Sequence, residues 1–100
     1  MITITAILRA KPGTESVMER ALLDVAANVA ANEPRTIGFF ISRKRGDPAL
    51  FTTYERFADS AAMDAHNGSA AVARCFEIIR PILAADVALE ICDEISVKPA

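Results

Sequence analysis

The hydrophobic period of the chain changes at Pro12-Gly13, and few folds accommodate that change. Residues 2–9, ITITAILR, alternate along a β-branched run, with Ile2, Ile4, Ala6 and Leu8 on one side. Pro12-Gly13 ends the strand. From Thr14 onward Val17, Met18, Ala21, Leu22, Val25, Ala26 and Val29 gather on one broad face of a helix, which Asn32-Glu33-Pro34 terminates. Thr14 or a Ser16-x-x-Glu19 box is expected to cap its start. A strand and an amphipathic helix joined by so short a turn must bury their apolar faces against each other.

The rest of the chain repeats the alternation. TIGFFISRKR, residues 36–45, reads as a second strand, and Phe39 and Phe40, being adjacent, point to opposite faces of the sheet. Gly46-Asp47-Pro48 turns the chain into a third strand, Leu50 to Phe57. Asp59 or Ser60 caps a short helix through His66, and Asn67-Gly68 breaks it. Ser69 opens another helix with Val72, Phe76 and Ile79 on one face, closed by Pro81. Asp86 to Val97 alternates as a fourth strand. The order β-α-β-β-α-β predicts a ferredoxin-like α+β domain over residues 1–100, an antiparallel sheet with both helical segments on one face. Nothing within the chain covers the other face. With 52% hydrophobic residues and a mean hydropathy of +0.26, the simplest cover is a second copy packed sheet to sheet.

Charge and cysteine content narrow the partners. A net charge of −2 with scattered Lys and Arg disfavours nucleic acid, and Arg43-Lys44-Arg45 reads as a solvated strand end. Cys75 and Cys92 show no metal-type spacing and read as small hydrophobes in a reducing compartment. The opening MITITAILRAKPG has no basic leader and no long apolar run, so a cytoplasmic protein with no membrane partner is expected. The four isolated glycines make no phosphate loop, no HExxH or Cys/His cluster is present, and no GxSxG elbow occurs, so no bound metal or cofactor is expected.

The remaining candidates surround the single histidine. His66 shares a helical side with Ala62 and Met63, facing inward if the short helix packs on the sheet. Its plain reading is a helix cap or a hydrogen-bonded core residue. The functional reading is a base on a cavity wall, with Glu55 of the third strand as an orienting carboxylate. Phe39, Phe40, Phe51, Met63 and Phe76 are the large side chains whose packing would shape such a pocket, although Met63 and Phe76 also suit an ordinary core.

Taken together, NEPRTIGFFISR, DPALFTTYERFADSAAMDAH and SAAVARCFEIIRPIL resemble the antibiotic biosynthesis monooxygenase family of dimeric ferredoxin-like proteins. The resemblance runs from Met1 to about Ile95 and is carried by E-P-x-T, D-P-x-x-F, Y-E-x-aromatic and A-x-x-x-H in order. It implies a homodimeric α+β barrel with an apolar pocket in each subunit, His66 as the matched histidine and Glu55 as the matched carboxylate. It also implies a cofactor-independent monooxygenase acting with O₂ on a quinol or polycyclic aromatic. Alternatives are an isomerase of a small phosphorylated diketone and a non-catalytic small-molecule-binding dimer. The chain departs from the pattern at Arg35, at Phe57 and at Ser69-Ala70-Ala71, where a second histidine is common. It contains no Trp, which speaks against the haem-degrading branch.

Overall fold

The computed structural model describes residues 1–99. Its elements are β1 (Ile2–Arg9), α1 (Glu15–Asn32), β2 (Thr36–Arg43), β3 (Leu50–Phe57), α2 (Ser60–Asn67), α3 (Ala70–Ile79), a 3₁₀ turn (Arg80–Ile82) and β4 (Ala88–Asp93). The strands form one antiparallel sheet in the order β2-β3-β1-β4, the ferredoxin-like arrangement expected from the alternation of periods.

The helices lie on one face. Ala6, Leu8 and Phe51 of the sheet meet Met18, Leu22 and Val25 of α1 and Ile79 of α3 in the main core, all of them buried. A second, smaller cluster of Ile4, Phe57 and Ala62 seats α2 against the sheet. Phe57 is fully buried, a contribution of about 1.5–3 kcal/mol from its transfer out of water. This cluster fixes α2, and therefore His66, relative to β3.

Three local expectations change. Thr14 precedes α1 without a side-chain cap; its hydroxyl instead donates to the carbonyl of Lys11 at 2.6 Å, and the Glu15 carboxylate accepts from the Gly13 N–H at 3.1 Å. Gly13 has φ +88°, a conformation in which a Cβ is strained, so the chain turns there before the helix begins. The fourth strand, Ala88–Asp93, is shorter than the alternating run, since β1 ends at Ile2 opposite Asp93, and past it the Glu94 N–H donates to the Met1 carbonyl at 3.0 Å. Val17 projects into solvent rather than toward the core, at the edge of a face narrower than the sequence pattern.

The register assigns the strand aromatics to faces. Phe39 pairs with Glu55 and Phe40 with Tyr54, so Phe39 turns toward the helices with Phe51 while Phe40 shares the helix-free face with Tyr54. That face exposes Ile7, Phe40 and Tyr54, and no element of the described chain covers it. Ile95, 98% exposed, and Val97 extend beyond β4 with their side chains in water. Among the described residues no helix is long and apolar enough to cross a membrane.

Candidate functional site

The site begins where α1 stops. Pro34 cannot continue a helix and disfavours helical geometry in the residue before it, so the chain leaves α1 at Glu33 and turns into β2. This turn leaves the Glu33 side chain beside α2. The start of α2 is set by Asp59, whose carboxylate accepts from the Ala62 N–H at 2.9 Å, a cap worth about 1 kcal/mol. Nearly two turns later His66 emerges on the buried side, 3% exposed, between the rings of Phe39 and Phe57 at 5.5 and 5.3 Å.

Both ring nitrogens of His66 face carboxylates. Nδ1 lies 2.7 Å from Glu33 Oε1, and Nε2 lies 3.3 Å from Glu55 Oε1, a looser approach on the sheet side. Glu33 is held in turn by the Thr36 hydroxyl at 2.8 Å and the Asn28 amide at 2.9 Å. Glu55 accepts from the Thr53 hydroxyl at 2.7 Å. Every fully buried side-chain polar atom among the described residues has a hydrogen-bond partner.

Burial disfavours the imidazolium, but the hydrogen bonds and charges of Glu55 and Glu33 outweigh it and lift the His66 pKa above the ordinary histidine value. The charged groups packed around the ring are Glu33 from the α1–β2 turn and Glu55 from β3. Arg35 lies across the outer cleft and is itself paired with Asp59.

A cavity of about 70 Å³ opens beside Nε2. Its polar end is formed by His66, Glu55 and Thr53, and its walls by apolar residues including Phe39, Val72 and Phe76. Roughly 150 Å³ suffices for benzene in an engineered apolar cavity, so this interior space alone is smaller than a ring needs. It is not closed, however. Asn67, Val72, Phe76 and Leu89 border both the cavity and an outer groove of about 400 Å³ between α3 and β4. The polar end of the cavity lies beside the imidazole.

Of the seven residues singled out from the sequence, four meet here: His66, Glu55, Phe39 and Phe76. Three do not line the cavity. Phe40 stands on the helix-free face with its ring 6.0 Å from Tyr54, because the strand period turns it away from Phe39. Phe51 is buried in the main core, where the Arg43 guanidinium lies 5.1 Å over its ring. Met63 packs on the smaller cluster of Ile4, Phe57 and Ala62 instead of lining the cavity. Glu55, expected beside His66, lies 3.3 Å from Nε2 and borders the cavity, and a second carboxylate, Glu33, read in the sequence as part of a helix stop, makes the shorter contact. An acidic residue next to a helix-ending proline was the available signal. Among the described residues no group of three His, Cys, Asp or Glu side chains is disposed to hold a metal ion.

The family model for antibiotic biosynthesis monooxygenases matches residues 1–78. A structure from Caulobacter crescentus assigned to the same enzyme class is 25% identical with a TM-score of 0.88, covering 95% of this chain and 90% of its own. Two similarly assigned proteins share the fold: one from Nitrosomonas europaea (18% identity, TM-score 0.87, 96% and 100% coverage) and one from Deinococcus radiodurans (15%, 0.87, 100% and 98%). No curated protein matches the chain.

Proposed function

Since this chain belongs to the antibiotic biosynthesis monooxygenase family, we propose that it is a cofactor-independent monooxygenase of an electron-rich hydroxylated aromatic, such as a quinol or polycyclic phenol. The single observation that carries the reading is the placement of His66: buried, clamped by Glu33, with Nε2 at the polar end of an otherwise apolar cavity.

Such a substrate supplies its own electrons. Nε2 takes the substrate O–H proton, and the resulting anion gives one electron to O₂. The substrate radical and superoxide combine through a new C–O bond, giving a hydroperoxide once protonated, and loss of water leaves a carbonyl. The protein has to provide a base, a dry wall and a fixed donor. His66 is the base, Glu33 fixes its tautomer by accepting from Nδ1–H, and the imidazolium formed steadies negative charge on the substrate oxygen.

We further propose a homodimer packed through the helix-free face, where Ile7, Phe40 and Tyr54 are exposed, with Ile95 and Val97 taken up by the partner. The two free cysteines fit a reducing, cytoplasmic compartment.

The test is oxygen uptake by the purified protein across a panel of naphthalene diols and anthrones. Uptake that depends on both substrate and His66 supports the reading. Turnover of a diketone under strict anaerobiosis, with no oxygen uptake on any aromatic, would replace it with proton-transfer isomerisation at the same base.

A further inference from the structure

His66 borders two separate spaces. Nε2 faces the inner cavity with Glu55, while the other side of the residue reaches a cleft between the α1–β2 turn and α2. That cleft, about 260 Å³, is bordered by Glu33, Pro34, Arg35, Ala61, Ala65 and His66 itself. Glu33 borders this outer space beside the imidazole, its carboxylate 2.7 Å from Nδ1 and its side chain 13% exposed. A buried base that fills one side of its ring with substrate can exchange its proton only through the other side.

We propose that Glu33 is a proton-relay residue, carrying the proton from His66 Nδ1 to water in the outer cleft while the inner cavity is occupied. The step rests on the reading of His66 as the base. Substrate adds a proton to Nε2, giving an imidazolium. Nδ1–H passes to Glu33 Oε1, and Glu33 releases that proton to cleft water, so one proton leaves for bulk. When the peroxide anion forms, Nε2 gives its proton to it and Nδ1 regains one from the cleft through Glu33, so one proton leaves and one returns in each turnover.

Three features fit a relay better than a fixed counter-charge alone. The Nδ1 contact is the short one, within the range of a charge-assisted hydrogen bond. The Nε2 contact to Glu55 is longer, leaving that nitrogen to the cavity. The Thr36 and Asn28 donors hold Glu33 in place, so the carboxylate can return to the same geometry after each transfer.

The experiment needs no substrate. His66 is the chain's single histidine, so its ring N–H resonance is unambiguous by ¹⁵N NMR. Solvent exchange of that N–H is measured with the inner cavity filled by xenon under pressure, an inert probe for apolar space. Three proteins are compared: wild type, Glu33→Gln and Ala65→Trp, the last narrowing the outer cleft without touching the clamp. The relay predicts that wild-type exchange persists under xenon and falls about tenfold or more in both variants. Exchange in Glu33→Gln that is unchanged or faster overturns it, as does an Ala65→Trp variant that exchanges at the wild-type rate. A protein without oxygenase activity still gives this readout, so failure of the relay and failure of the proposed function are separable.

Discussion

Glu33 and His66, 33 residues apart in the chain, meet at 2.7 Å in a contact that ties the end of α1 to the end of α2. Neither side chain reaches the other within its own element; the ferredoxin-like topology brings them together. The contact joins architecture to chemistry, because it both anchors the short helix and fixes the orientation of the candidate base.

Removing the carboxylate tests the structural half of that statement. Glu33→Ala leaves the imidazole, the Thr36 hydroxyl and the Asn28 amide without their common partner. A loss of about 2–3 kcal/mol is expected, in the range of a buried hydrogen bond to a charged group with its neighbours left unpaired. Urea denaturation of the two proteins measures it, and a loss within error of zero contradicts the geometry.

The raised pKa of His66 has a defined sign. Protons bind the folded state more tightly than the unfolded one, so the stabilisation is complete below the unfolded histidine value of about 6.5. It is lost as pH rises through the higher folded value. Unfolding free energy should therefore decline as pH rises from about 6.5 through the higher folded value. The decline should be largely absent in His66→Gln; the same slope in that variant contradicts the assignment.

Cys75 and Cys92 separate by environment. Cys75 is buried in the core, where desolvation first and the Asp24 charge second push its thiol up, whereas Cys92 is exposed on β4. In the native protein an aromatic disulfide reagent should leave Cys75 unreacted until denaturant is added. Reaction of Cys75 at the rate of a free thiol would mean that α3 opens far more readily than its packing implies.

The helix-free face gives an expectation about mass. Phe40 is 56% exposed beside Tyr54, the kind of patch that a second copy would cover. Sedimentation of the wild type should give a dimer at micromolar concentration, and Phe40→Asp should shift it to the monomer with helical content retained. A wild-type monomer would remove the proposed interface.

The folding plan was legible because it depends on period. The alternation of β1, the broad face of α1, the Asp59 and Ser69 caps and the break at Asn67-Gly68 are local signals, and the structure follows them. The site was legible only in part. His66 and Glu55 stood out by residue type, but Glu33 looked like part of a helix stop, since its role depends on how α1 and α2 meet. Alternation within one strand does not say which positions of two strands share a face, which hides the place of Phe40. The register does, pairing Phe40 with Tyr54 and leaving Phe39 to the helix side. Phe51 shares the helix side with Glu55 but lies farther along β3 in the main core. Helical spacing put Met63 near His66, but it packs on the smaller cluster of Ile4, Phe57 and Ala62 instead of lining the cavity.

The central claim is that the imidazole of His66, buried beside the cavity, takes the proton that starts the reaction. Oxygen consumption with a naphthalene diol, followed for wild type and His66→Ala at matched concentrations of folded protein, tests it most directly. The prediction is uptake by the wild type that rises with pH through a value above that of ordinary histidine, and a fall of about 100-fold or more in the variant. Undiminished uptake by His66→Ala would contradict it.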